Sequence, residues 1–361
     1  MLKGKEKDVR SASGPPPGRL IEAAKQLVIG IFFLGIFAIY ASDWDFSALI
    51  YPAHEGGVST KPFFWRAWYA VVASFMARTK YYGIWTLANA ACILSGLSYN
   101  GLAPVTPGSR GSNVAPRTKW DRCQNVDVLG VELAQNWKEL LDHWNMNTNI
   151  WLRNNVYKRV AKRGRKPGFK STMFTFLTSA FWHGVAPGYY IAFIMGGFCQ
   201  SVARSLRKSL RPRIFRNPSQ KGDLKSFDSI KSLSAQQAIY VFLSIVAVHA
   251  TVSHAAMAFV LLDVKRTLLG WASLYFYGIW SVLGLMLAFR LGLGNYLSGA
   301  KNVVRDPKNC EQLPIPRSSL ASCEAKEEAS RSIQKEIENL DSQPNLPDIE
   351  VVMGELGDRA E

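Results

Sequence analysis

Acidic residues are scarce over most of this sequence. Residues 1–300 carry 14 Asp/Glu against 35 Lys/Arg, and only residues 301–361 reverse the balance, with 13 against 8. Charge of either sign is thin, at 19% of 361 residues against a usual quarter. Thin charge combined with 48% hydrophobic residues excludes a disordered chain and a coiled coil. Cysteine is sparse as well. Cys92, Cys123, Cys199, Cys310 and Cys323 are odd in number and show no CxxC or Cys/His ligand spacing, so neither a disulfide framework nor a metal site is expected. No internal repeat is present. The net charge of +16 suits either a nucleic acid or a membrane whose cytosolic loops are basic. The apolar runs decide for the membrane, because a nucleic-acid binder has no use for 33 residues without Asp, Glu, Lys or Arg, as in Ser171–Ala203. No nucleic-acid partner is expected.

A helix needs about 20 mostly apolar residues to cross a bilayer. Leu27–Ser42, Tyr81–Pro104, Ser171–Ala203, Ser232–Leu262 and Thr267–Phe289 meet or approach this, and Phe63–Ala77 is a sixth, shorter piece interrupted by Arg66. The expected fold is therefore all-α and polytopic, with about five to six transmembrane helices. Between them, Val131–Val160 has helical periodicity without enough apolarity to span. Trp137, Leu141, Trp144, Thr148 and Trp151 recur at steps of 4, 3, 4 and 3, which predicts one amphipathic helix. Arg153–Lys170 holds eight Lys/Arg and Arg204–Arg216 six, both read as cytosolic signals. The organisation follows as a polar, disordered N-terminus over 1–22, a membrane region over 23–300 and a disordered acidic tail over 301–361.

An ionisable residue inside an apolar run is costly and is a functional candidate by default. His183 is such a residue, in Ser179-Ala-Phe-Trp-His-Gly-Val-Ala-Pro-Gly-Tyr-Tyr190. Pro187 lacks the N–H that would bond the His183 carbonyl, so the helix is expected to kink there, or to break into two half-helices. Gly184 and Gly188 remove bulk on either side. The competing reading is a structural histidine bonded to a neighbouring helix. Asn145 falls on the face shared by Leu141, Thr148, Asn149, Leu152 and Val156, where a buried amide needs a partner. By itself it reads as a helix–helix hydrogen bond. Ser179 lies one turn before His183, a conceivable nucleophile–base pair, although Ser in a membrane helix usually bonds its own backbone. His249 and His254 read as packing or hydrogen-bonding residues.

The sequence resembles the membrane-bound O-acyltransferase family, and within it the fungal lysophospholipid acyltransferases. The residues that carry the likeness are Arg78-Thr-Lys-Tyr-Tyr82 with Trp85, Lys119-Trp-Asp-Arg122 with Asn125-Val-Asp127, Trp144-Asn-Met-Asn-Thr-Asn149 with Trp151-Leu-Arg153, Tyr157, Lys166-Pro-Gly168, and Ser179-Ala-Phe-Trp-His-Gly184 with Pro187-Gly-Tyr-Tyr190. The resemblance covers about residues 25–300. It implies a multi-pass protein of the endoplasmic reticulum membrane, with acyl-CoA as co-substrate, no cofactor, and a lysophospholipid from the bilayer as acceptor. It also implies that His183 is catalytic and that Asn145 completes the site. The family core has roughly twice as many membrane helices, so the chain is expected to correspond to its C-terminal half. Asn100-Gly-Leu-Ala-Pro-Val-Thr-Pro-Gly108 also replaces a Gly-rich aromatic stretch of the family.

These roles suggest a mechanism in which neutral His183 takes the acceptor's hydroxyl proton while Asn145 orients the thioester or donates to the oxyanion. Trp144, Asn149, Trp182, Ser179 and Tyr189 are expected to contact substrate. Arg153, Lys158 and Arg159 are expected to hold the CoA phosphates. The alternatives are another acceptor (a sterol, a diacylglycerol or a protein) or a non-catalytic polytopic protein. A transporter would show paired Gly/Pro-broken segments in two halves, and only the break at His183–Gly188 is evident.

Overall fold

The computed structural model describes residues 16–102, 118–160, 168–215, 224 and 231–298. Most of the expected N-terminal segment, residues 161–167 of the first basic loop and the expected acidic tail lie outside them. The regular structure among the described residues is helical, with one isolated antiparallel bridge between Leu102 and Thr118.

The first apolar run becomes α1 (Arg19–Tyr40), which packs lengthwise against α2 (Phe63–Leu94). The two backbones approach closely because Gly83 has no side chain: a Cβ there would lie 2.5 Å from Leu34 Cγ. The expected pieces Phe63–Ala77 and Tyr81–Pro104 are corrected, since α2 runs unbroken through Arg78-Thr79-Lys80 for 32 residues and stops at Leu94. The charge at Arg78 does not interrupt it because Arg78 has a partner. Its Nε and Nη2 donate to the two carboxylate oxygens of Glu132 at 3.0 and 2.9 Å.

The single amphipathic helix expected over Val131–Val160 is also corrected. The segment is a chain of short pieces: α3 (Val128–Glu132), α4 (Trp137–His143), α5 (Met146–Leu152), a π-helical turn (Arg153–Tyr157) and α6 (Lys158–Val160). Side-chain caps restart it. Asp127 accepts from the Gly130 N–H at 3.0 Å, and Asn136 from the Glu139 N–H at 3.1 Å. Trp137 turns inward and donates from Nε1 to Thr251 Oγ1 at 2.9 Å, whereas Trp151 at the other end of the stripe is exposed.

The rest of the described chain is α7 (Phe169–His183), α8 (Pro187–Ile214), α9 (Ala235–Leu261), α10 (Val264–Ser273), α11 (Tyr277–Arg290) and α12 (Leu293–Ser298). The long run Ser171–Ala203 is broken at Gly184–Ala186 into α7 and α8. The run Ser232–Leu262 is one helix, opened by a capping box between Ser234 and Gln237. The run Thr267–Phe289 is not one span. α10 and α11 meet at a bend of 80°, where Tyr275 and Phe276 take positive φ of 53° and 52°. Among the described residues two helices, α1 and α9, are long and apolar enough to cross a membrane, and α10–α11 makes up to three, where the sequence led us to expect five to six over the chain. Residues α2 would place across a bilayer include Arg66, Arg78 and Lys80, and the second half of α8 is basic. Buried residues of α2, α8, α9 and α10 form the largest core cluster, centred on Tyr69, Ala192, Met257 and Trp271. Outward residues such as Ile31 and Phe32 on α1 and Phe242 on α9 remain exposed and apolar, as a lipid-facing surface requires.

Candidate active site

Thr172, Thr175, Ser179 and His183 recur along α7 at steps of three and four, which aligns them on one face. The threonine hydroxyls donate back to the helix, Thr172 to the Gly168 carbonyl at 3.2 Å and Thr175 to that of Ser171 at 2.7 Å. His183 is the last residue of α7. The chain leaves it through Gly184 at φ 131°, a conformation that L side chains rarely adopt. Pro187 then opens α8 at its first position, where a missing N–H costs nothing. The sequence-expected distortion is thus a full stop and restart. The start of α8 is pinned to the end of α9: the Gly188 N–H donates to the Leu262 carbonyl at 2.9 Å, and a Cβ at Gly188 would lie 2.3 Å from the Ala258 carbonyl oxygen. The half-buried imidazole of His183 stacks on Phe193 at 5.2 Å and meets the edges of Phe259 and Trp182 at 5.0 and 4.8 Å. Among the described residues it has no hydrogen-bond partner. Its nitrogens are therefore available to a ligand.

Asn145 stands between α4 and α5 with φ 46° and ψ 53°. Asn is one of the few non-glycine residues that tolerates this left-handed region, so the break in the amphipathic helix and the identity of the residue have one cause. Trp144 beside it wedges into an aromatic cluster on α2, with ring centroids 4.9 Å from Trp85, 5.5 Å from Tyr81 and 5.8 Å from Tyr82. Asn149 ties α5 back to α4, donating from Nδ2 to the Leu141 carbonyl at 2.8 Å.

His183 and Asn145, remote in sequence, line one cavity of about 200 Å³. Trp144, Asn149, Ser179 and Arg153 line it with them. No hydrogen bond joins Ser179 to His183 among the described residues. Tyr189 packs on the His183 ring at 5.6 Å without lining the cavity. Trp182, Lys158 and Arg159 are exposed and also stand off the lining.

A second cavity of about 810 Å³ shares Lys138, Asp142, Gln200 and Arg204 with the first. Arg207, Lys208 and Arg211 of α8 add to it. Its acids are engaged: Asp142 pairs with Lys138, and Glu139 accepts from the Gln135 N–H at 2.9 Å. The basic run read from the sequence as a topology signal therefore also forms a cationic chamber beside the His183 cavity. Sequence reasoning passed over Gln200 and Arg204 as cavity residues. The signal was present, since Phe193, Gln200 and Arg204 are seven and four apart on α8 and all line the His183 cavity.

Residues 23–246 match the model of the MBOAT, membrane-bound O-acyltransferase family. A lysophospholipid acyltransferase of Saccharomyces cerevisiae is 40% identical over 227 residues, which are 63% of this chain and 33% of the relative. A lysophospholipid acyltransferase of Schizosaccharomyces pombe is 36% identical over 306 residues, 85% of this chain and 55% of the relative. A membrane-bound glycerophospholipid O-acyltransferase 2 of Gallus gallus is 30% identical over 273 residues, 76% of this chain and 45% of the relative. The chain thus spans between about a third and about half the length of these curated relatives. The family match runs from α1 into α9 and takes in both Asn145 and His183, so the chain belongs to the membrane-bound O-acyltransferase family.

Proposed function

We propose that the His183–Asn145 cavity transfers a fatty acyl group from acyl-CoA to the free hydroxyl of a lysophospholipid in the endoplasmic reticulum membrane. The observation that carries this reading is the convergence of an imidazole with no hydrogen-bond partner among the described residues and a carboxamide on one cavity that adjoins a cationic chamber. The names of the fungal relatives support the acceptor class.

Neutral His183 accepts the hydroxyl proton as the oxygen attacks the thioester carbonyl, help worth roughly 10²–10⁴-fold. The carbonyl electron pair moves onto oxygen, where the Asn145 amide donates to it; one such donor supplies about 3–4 kcal/mol. When the tetrahedral species collapses, the C–S bond breaks and the imidazolium returns the proton to the leaving sulfur. The products are a phospholipid ester and free CoA, without metal or acyl-enzyme. Arg204, Arg207 and Lys208 hold the phosphates of CoA by charge-assisted hydrogen bonds. Arg153 lines the same cavity as His183 and serves the same end.

The test is acyl transfer in acyltransferase-deficient microsomes with labelled acyl-CoA and a panel of lysolipids. The wild-type chain acylates a lysophospholipid, and His183→Ala lowers kcat at least about 100-fold. Normal turnover by His183→Ala would sink the reading. An acyl group trapped on Ser179 would replace it with a two-step route through that hydroxyl.

A further inference from the structure

We infer that Asn125 is a positioning residue for this reaction: it fixes the carboxamide of Asn145 so that its N–H₂ edge faces the cavity. The inference rests on the reading of the site above.

The segment Asn125–Asp127 runs antiparallel beside His143–Met146. The Met146 N–H donates to the Asn125 carbonyl at 2.8 Å, and the Asp127 N–H donates to the His143 carbonyl at 3.0 Å. These two bonds bracket Trp144 and Asn145 from one side. The Asn125 side chain adds a third and a fourth. Its Oδ1 accepts from the Asn147 N–H at 3.1 Å, which leaves its Nδ2 as the only edge free to meet Asn145. That Nδ2 donates to Asn145 Oδ1 at 3.1 Å.

The consequence is directional. A primary amide has one acceptor edge and one donor edge. A backbone N–H fixes which way Asn125 faces, and Asn125 in turn fixes which way Asn145 faces. With Oδ1 occupied, the donors of Asn145 are the groups left over, and among the described residues its Nδ2 has no partner. A donor held in place before the reaction stabilises a developing oxyanion without reorganisation. An Asn145 free to rotate would present its oxygen part of the time and repel that charge. Asn125 itself does not line the cavity, so it acts through Asn145.

Asn125→Asp is the discriminating variant. It is isosteric and keeps an oxygen for the Asn147 N–H, so the loop retains its backbone pairing. It has no N–H for Asn145 Oδ1, and its second oxygen attracts the Asn145 amide, which turns the wrong edge to the cavity. In the full chain in membranes, Asn125→Asp is expected to lower kcat about 100-fold with KM values changed less than about threefold. In an Asn145→Ala background the same change is expected to cost less than about twofold, because the group it orients is gone. A purely structural Asn125 would cost as much in either background and would lower the yield of folded protein. Full kcat in Asn125→Asp, alongside a large loss in Asn145→Ala, overturns the inference while leaving the site reading intact. Full activity in Asn145→Ala instead sinks the role given to Asn145.

The contact itself is read without turnover. In the full chain labelled with side-chain ¹⁵N-Asn in micelles, the Asn125 amide signal is expected to be protected from exchange and to shift in Asn145→Ala. An unmoved signal overturns the inference whatever the activity.

Discussion

Three membrane-segment histidines show how little the residue type says alone. The His249 Nε2 lies 2.9 Å from the Glu132 carbonyl oxygen, a fixed link between α9 and α3. His254 is fully enclosed, stacked at 4.7 Å on Trp271, with neither ring nitrogen hydrogen-bonded among the described residues. Of the three, His183 is the one that lines the cavity shared with Asn145. Both structural histidines were legible as such from their Ala/Ser/Val-rich surroundings, and His183 stood out by its Gly and Pro neighbours. Arg78 was less legible, since its partner is 54 residues away. It gives two bonds to Glu132 and one to Ser74 Oγ at 2.9 Å, and Tyr82 donates to Glu132 at 2.5 Å. Removing one member of such a pair leaves the other charged and enclosed, which costs about 3 kcal/mol or more. Glu132→Gln is therefore expected to lower the melting temperature in detergent clearly, and Arg78→Met/Glu132→Leu to recover part of the loss. Equal melting of Glu132→Gln and wild type would show that water already screens the pair.

At the scale of elements, the candidate groups sit where helices stop. α7 ends at His183 and α5 begins after Asn145, so both candidate groups lie at helix termini, where a side chain escapes the regular ladder. The first break was readable, because Pro187 cannot serve the helix behind it. The second was not. The period of Trp137, Leu141, Trp144 and Thr148 is continuous, and local periodicity cannot register the Asn125 segment that pairs across residues 143–146. The helix-starting glycine is testable by itself. Gly188→Ala places a methyl against the backbone of α9, which cannot rotate away as a side chain would. It is expected to destabilise the fold by about 1–3 kcal/mol, read as a lower melting temperature, while Ala192→Gly on the next turn is milder. A fully stable Gly188→Ala would mean that α8 and α9 are free to separate there.

At the scale of the whole described chain, charge and cavity are arranged together. The basic half of α8 lies beside α4, and the chamber between them is continuous in its lining with the His183 cavity. If that chamber holds the CoA phosphates, Arg207→Ala/Lys208→Ala raises KM for acyl-CoA about tenfold, with KM for the lysolipid unchanged. Added salt weakens acyl-CoA binding in wild type more than in the double variant. Equal salt dependence in the two would remove these residues from the acyl-CoA site. The sequence by itself determined the class of molecule, because apolar length and the placement of Lys and Arg are local properties that a bilayer reads directly. It also marked the motifs around His183 and Asn145 that carry the family likeness. Only the tertiary structure decided that α2 is one helix and Val131–Val160 several, that His183 and Asn145 share a cavity, and that Asn125 holds the second of them. Those outcomes depend on partners tens of residues away, whose hydrogen bonds outweigh the small preferences any short stretch of sequence can express.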